Sequence, residues 1–216
     1  MPNRYELILF DMDGTLIDTD ELIAQTFFRL YDKYNFEKRA SREKMIYFSG
    51  PPIRETLAKE FPQVDKEQIF KEFHSISWEL YPRYIFLYPF EKEVLLELKK
   101  LNYRLGIVTN KMHKTTEYCL KLLDLENIFD VVVGIDDVKN PKPHQEGISL
   151  AMKILNQPEK SKVLYIGDNS SDFLTCQNAG VDCVLVSWGP RILDPSLRPR
   201  YLVKSYKDIL EVLKNE

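Results

Sequence analysis

Long hydrophobic runs are missing from this chain, and their absence removes the first class of functions. No apolar stretch among its 216 residues approaches the ~20 needed to span a bilayer. The start, Met-Pro-Asn-Arg-Tyr-Glu, also lacks the apolar segment of a signal peptide. Cysteine is scarce. Cys119, Cys176 and Cys183 form no Cys-x-x-Cys and cannot all pair, so a disulfide scaffold is excluded and reduced thiols in a cytoplasmic protein are expected. The histidines, His74, His113 and His144, lie far apart, which argues against a histidine zinc site. An excess of positive charge is lacking too: with a net charge of −3 and scattered lysines, the chain has no electrostatic footprint for nucleic acid. It contains no internal repeat and no low-complexity tract.

What is present is a globular composition, 44% hydrophobic and 29% charged, enough for one large domain or a core with a smaller insert. The stretch that organises the rest is Glu-Leu-Ile-Leu-Phe followed by Asp11-Met12-Asp13-Gly14-Thr15-Leu16. A short run of β-type residues reads as a buried strand, and Gly14 marks a sharp exit from it. Such a strand delivers Asp11 and Asp13 to its C-terminal end, where ligands bind in open α/β sheets. Charges at the edge of a core persist only if neutralised, and a divalent cation is the obvious partner.

Residues 18–87 have a different texture, rich in charge and aromatics. Leu22, Ile23, Phe27, Leu30 and Tyr31 fall at helical spacing, without strand alternation. This predicts several helices, broken near Ser49-Gly50-Pro51-Pro52 and Phe61-Pro62, with the aromatic run 81–90 as helix-end packing and a hinge. From Pro89 helix and strand alternate: helices over 91–101, 115–125, 146–155 and 171–179, strands over 103–109, 131–135, 162–166 and 183–187. Helices between short strands force parallel pairing. The expected fold is therefore a doubly wound, Rossmann-like parallel α/β sheet formed by 1–17 and 88–216, with an all-α insert at 18–87.

Three further strand ends carry polar groups. The strand over 103–109 ends in Thr109-Asn110-Lys111, a hydroxyl and an amide ahead of backbone N–H groups that suit phosphate oxygens. After the strand over 131–135 comes Asp136-Asp137-Val138-Lys139-Asn140-Pro141-Lys142-Pro143, where two prolines stiffen the backbone around Lys142. The strand over 162–166 runs into Gly167-Asp168-Asn169-Ser170-Ser171-Asp172, with Asp172 one helical turn beyond Asp168. Four acids would repel one another; Mg²⁺ and a phosphate between them and the lysine balance the charge.

In this order the motifs resemble those of haloacid dehalogenase (HAD) superfamily phosphatases of subfamily I, which carry a helical cap after the first motif. The resemblance spans essentially the whole chain. It is nearest to phosphoglycolate phosphatases and bacterial HAD-type pyrophosphatases, with Phe48-Ser49-Gly50-Pro51-Pro52 and residues 131–138 as the closest local matches. Two departures stand out: Gln145 replaces the second proline of Lys-Pro-x-Pro, leaving Lys139 as an alternative lysine, and Pro89-Phe90 replaces Pro-Gly at the second hinge. The resemblance implies that Asp11 is a nucleophile and Asp13 a general acid/base. It implies Mg²⁺ at Asp11, Asp13 (through its carbonyl) and Asp168, with Asp172 orienting that shell, and phosphoryl contacts from Thr109 and Lys142. Asn110, Gly50 and Arg54 are candidate substrate contacts. The implied activity is Mg²⁺-dependent hydrolysis of a small phosphoglycolate-like metabolite, with inorganic pyrophosphatase or sugar phosphomutase as alternatives. An acid two residues after the nucleophile separates the chain from the superfamily's dehalogenases. The expected partner is a small phosphorylated metabolite or pyrophosphate, without nucleic acid or membrane; monomer and homodimer both stay open.

Overall fold

Residues Leu7–Phe10 form strand β1, and all four are fully buried, because both faces of the strand are covered. The computed structural model describes residues 4–216. After β1 the chain turns through a two-residue strand, β2 (Ile17–Asp18), and enters four helices, α1 (Asp20–Lys33), α2 (Arg42–Met45), α3 (Ile53–Glu60) and α4 (Lys66–Tyr84). A second two-residue strand, β3 (Phe86–Leu87), returns it antiparallel to β2. Helix and strand then alternate through α5 (Glu91–Lys100), β4 (Arg104–Val108), α6 (His113–Leu122), β5 (Val131–Val133), α7 (Glu146–Ile154), β6 (Val163–Gly167), α8 (Ser170–Ala179) and β7 (Asp182–Val186). An irregular segment leads to β8 (Tyr201–Val203), and α9 (Tyr206–Lys214) closes the chain.

Six strands make one sheet in the order β5-β4-β1-β6-β7-β8, every pair parallel. Side chains alternate between its faces. Ile8, Phe10, Leu105, Ile107, Leu164 and Ile166 pack on one side against Leu95 and Leu98 of α5, Leu120 of α6 and Ile209 of α9. Leu7, Leu9, Val131, Val163 and Tyr165 pack on the other against Ile148 and Met152 of α7 and Phe173 and Cys176 of α8. Burying each large apolar side chain here stabilises the fold by roughly 1.5–3 kcal/mol. The result is the doubly wound, Rossmann-like α/β fold.

The helices between β2 and β3 have an apolar centre of their own. Phe27 lies with ring centroids 4.6 Å from Phe48, 6.1 Å from Phe61 and 5.8 Å from Phe73, which uses the aromatic richness of this stretch. Leu22, Ile23, Phe27, Leu30 and Tyr31 are all buried along α1, as their spacing predicts. The chain breaks at 49–52 and at 61–62, and Asp65 caps α4 by accepting from Glu67 N and Gln68 N. The stretch from 18 to 87 is not helical at its ends, where Asp18 pairs with Phe86 in the ribbon of β2 and β3. Strands this short carry no periodicity. Strand β8, also unforeseen, pairs with β7 alone among the described residues.

Phe90 adopts φ +66 just before α5, the left-handed region that glycine enters freely. Lys207 Nζ stands 3.6 Å above its ring and offsets part of that strain. All three cysteines are free and buried. Among the described residues, no helix is long and apolar enough to cross a membrane.

Candidate active site

Strands β4, β1 and β6 are adjacent and parallel, so their C-terminal ends open on one edge. The chain leaves β1 to one side for β4 and reaches β6 on the other, which makes this edge the topological switch point. Asp11, Thr109 and Asp168 are the first residues beyond these three strands.

Asp11 continues β1, its N–H donating to Ile166 O at 2.9 Å, and the residue is only 2% exposed. The chain then doubles back: Leu16 N and Ile17 N both donate to Met12 O, and Gly14 N to Ile17 O. Gly14 makes the turn at φ +87, and a Cβ there would stand 2.2 Å from Asp168 Oδ2. A side chain at this position would collide with the acid next door.

Lys142 lies at the centre of the cluster. Its Nζ is 2.7 Å from Asp11 Oδ1 and donates to Asp172 Oδ1 at 2.7 Å and to the Tyr165 hydroxyl at 3.0 Å. Burial opposes its charge, yet the facing Asp11 and Asp172 carboxylates hold its pKa above the ordinary lysine value. Tyr165 in turn donates to Val108 O at 2.8 Å, anchoring the lysine to the sheet. Asn110 fixes the backbone of the same loop: its Oδ1 accepts from Lys142 N, and its Nδ2 donates to Lys142 O and to Gly50 O. Gly50, at φ +109, is thereby joined to the core. Lys139, the alternative lysine, is exposed, and its N–H donates to Glu146. Lys142, not Lys139, is therefore the lysine that enters the cluster, with Gln145 in place of the second proline.

Asp172 is fully buried in the first turn of α8. Its Oδ2 accepts from Asp168 N and Asn169 N, and its Oδ1 takes Lys142, so both oxygens are engaged. Asp168 accepts from Asn169 Nδ2 on one oxygen and from Arg191 Nη1 at 2.8 Å on the other. Burial pushes the Asp168 carboxyl up to about 7 against the pull of Arg191. It pushes Asp11 up to about 6 against that of Lys142. Asp11, Asp168 and Asp172 each offer an oxygen within 4.8 Å of the others. Three buried carboxylates facing one lysine and one arginine leave the cluster short of positive charge. An all-oxygen donor set of this kind fits a hard divalent cation.

Asp13 stands apart from the three: both its oxygens lie 2.9 Å from Lys111 Nζ. Thr109 is buried at the end of β4, where its Oγ1 accepts from Lys111 N. A cavity of about 120 Å³ opens beside Asp11, Asp13, Thr109 and Asn110, roofed by residues 48–54 with Phe70, Phe73, His74 and Tyr81 of α4. Arg54 lines its rim, but the guanidinium is half exposed, paired with Glu67 on both nitrogens and stacked 3.6 Å over the Phe70 ring.

Sequence reasoning did not single out Lys111, Tyr165 or Arg191. Lys111 follows the Thr-Asn pair directly, and its proximity was the available signal. Tyr165 is an ordinary strand residue until β6 places it under Lys142. Arg191 lies in the irregular segment after β7 and is 7% exposed as a side chain. It donates to Asp168, to Asp20 Oδ1 (2.7 Å), to Ser49 Oγ and to Ile46 O (2.8 Å), spanning the sheet edge and the helices above it.

The family profile described as haloacid dehalogenase-like hydrolase matches residues 8–186. Pyrophosphatase PpaX of Bacillus mycoides is 39% identical, the match covering 97% of each chain. Among solved structures, a candidate haloacid dehalogenase-like hydrolase from Bacteroides fragilis superimposes with a TM-score of 0.86 at 25% identity, over 95% of this chain and 99% of that one. A candidate β-phosphoglucomutase from Thermotoga maritima does so with a TM-score of 0.77 at 27% identity, over 97% and 99%.

Proposed function

The chain belongs to the haloacid dehalogenase-like hydrolases, and we propose that within this family it is a Mg²⁺-dependent phosphatase acting on a small phosphorylated metabolite through an aspartyl-phosphate. The observation that carries this reading is Asp11, buried at the end of β1 with Lys142 at 2.7 Å, and a second acid, Asp13, two residues on.

In the first step an Asp11 carboxylate oxygen attacks phosphorus, and the bond from phosphorus to the leaving oxygen breaks. Asp13 gives that oxygen a proton, so the leaving group departs neutral at the ester oxygen. Water then attacks the phosphorus of the aspartyl-phosphate, Asp13 takes its proton, and Asp11 departs as carboxylate with inorganic phosphate released. Lys142 and the Thr109 hydroxyl stabilise charge on the equatorial oxygens. Asp11, the Asp13 carbonyl and Asp168 would hold Mg²⁺, which when bound neutralises phosphoryl charge. Asp172, fully buried, holds Lys142 with one oxygen and the backbone N–H groups of Asp168 and Asn169 with the other, and fixing these neighbours supports an orienting role for it. The helices of residues 18–87 act as a cap that closes over the cavity and excludes water.

A cavity of about 120 Å³ under such a cap suits a compact ligand: a phosphoglycolate-like ester, or pyrophosphate, the substrate named for the Bacillus relative. The test is phosphate release from a panel of small esters and pyrophosphate, with Mg²⁺ or with a chelator. Release from one or more compounds that stops with the chelator and in Asp11→Asn is expected. Turnover that survives in Asp11→Asn overturns the mechanism.

A further inference from the structure

The chemistry above leaves a buried cation beside the acid Asp13 without a task of its own. Lys111 has a side chain only 8% exposed, and its ammonium rests on both oxygens of Asp13 and 5.1 Å from the centre of the Tyr81 ring. It lines the same cavity as Asp11. We propose that Lys111, with His74 beside it, receives a second anionic group on the leaving-group side of the substrate and releases Asp13 in doing so. This inference rests on the phosphatase reading.

Two cations line the cavity, Lys111 and Arg54. Arg54 is half exposed and already satisfied by Glu67 and Phe70, so the rim offers little that a ligand could claim. Lys111 lies deep, next to the groups that react. His74 lines the cavity as well, and its Nε2 is buried with no hydrogen-bond partner among the described residues. Burial, with Lys111 and Arg54 nearby, lowers its pKa, which keeps the imidazole neutral and leaves one ring N–H free to donate. Ile23, Phe48, Phe73 and Met112 supply apolar walls, where a charged contact is screened less than in water.

The pairing with Asp13 makes Lys111 more than a binding group. While its ammonium holds both carboxylate oxygens, Asp13 faces the lysine instead of a leaving oxygen. An incoming phosphate or carboxylate competes for the ammonium and frees the Asp13 carboxylate to take up, from solvent, the proton that it then gives to the leaving oxygen. A singly anionic ester brings nothing to the leaving-group side and leaves Asp13 engaged. The substrate class that follows is a compact phosphoryl compound with a second anion a few bonds from phosphorus. The second anion is either phosphate, as in a diphosphate, or carboxylate.

Binding separates Lys111 from the chemistry. Methylenebisphosphonate, phosphonoacetate and orthophosphate are titrated calorimetrically, with Mg²⁺, into the wild-type protein and Lys111→Met. Expected is a loss of roughly ten- to a hundredfold for one or both of the first two and less than threefold for orthophosphate. Which of the two loses more identifies the second anion as phosphonate or carboxylate. Lys111→Arg should restore part of the affinity, and it carries the comparison alone should Lys111→Met fail to fold. A parallel loss for all three ligands, or no loss for any, overturns the proposal. Absence of phosphate release from every ester in the wild-type protein would instead overturn the phosphatase reading, and the two failures are thereby distinct.

Discussion

Replacing Lys142 by methionine tests whether the cluster at the sheet edge is the balanced ionic network that the distances describe. Activity would be lost on almost any account of the site, so stability is the discriminating measurement. The ammonium stands 2.7 Å from both Asp11 and Asp172, and the side chains of lysine and Asp11 are each 3% exposed while that of Asp172 is fully buried. Removing one partner of a buried pair while the other charge stays costs about 3–5 kcal/mol, because the remaining carboxylates lose the group that replaced their water. At roughly 2–4 °C per kcal/mol for a chain of this size, Tm should fall by about 6–20 °C. Thermal and urea unfolding followed by fluorescence of Trp78 and Trp188 gives both numbers. Combining Lys142→Met with Asp11→Asn should return part of the loss, since the amide no longer needs a counter-charge, and a coupling of at least about 1.5 kcal/mol is expected. A single-variant cost below about 1 kcal/mol, or strict additivity in the double variant, would refute the reasoning.

Gly14→Ala places a methyl group 2.2 Å from Asp168 Oδ2 at a φ of +87, so a destabilisation of about 1–3 kcal/mol and weaker Mg²⁺ binding are expected; unfolding curves and calorimetry check both. Arg191→Ala strands the Asp168 and Asp20 carboxylates and unties Ile46 and Ser49. Amide exchange across residues 46–50 should speed up, and unchanged exchange would show that Arg191 does not hold the helices. Burial opposes protonation of His113, but Asp137 at 2.5 Å outweighs it and raises the folded pKa above the ordinary value of 6.5. That group therefore adds stability in full below about pH 6.5 and loses it as pH rises through the folded pKa. The stability gap between the wild-type protein and His113→Gln should be wider at pH 5.5 than at pH 8.5, and a gap independent of pH would refute it.

The parts of this structure that could be read from the sequence are those where a local pattern and a global position coincide. Strands β1, β4, β6 and β7 are apolar runs because both their faces are covered, and covering both faces is what a doubly wound sheet does. Strands β2 and β3 have two residues each, below the length at which any periodicity exists. Asp11, Thr109 and Asp168 were legible because each follows directly on the end of a strand, and Lys142 because two prolines bracket it in the loop after β5. Arg191 was not, because nothing local distinguishes an arginine on Asp168 from arginines in solvent, and Lys111 carried no signal beyond its place after the Thr-Asn pair. Arg54 shows the same gap from the other side: its partner Glu67 lies on the next helix, and the sequence does not say which charges meet across a turn.

Strand β1 is the first element made and the one that waits longest for its partners. Leu7 has neighbours at Arg104 and Val163, so the strand that carries Asp11 finds its partners only beyond the helices of residues 18–87. During synthesis at about 5–20 residues per second, it waits on the order of 5–20 s for β4 and longer for β6. Through that interval four consecutive apolar residues are exposed, while the aromatic cluster of α1–α4 consists of contacts made within one continuous stretch. The helices between β2 and β3 therefore have the means to condense on the ribosome well before the sheet does. The sheet then closes around its oldest strand, and catalytic competence arrives only with the last hundred residues. A truncation after β5 would leave β1 with one open edge and the carboxylate of Asp11 without Lys142, Asp168 or Asp172. Such a nascent chain is one for chaperones to shield, with its chemistry still unassembled.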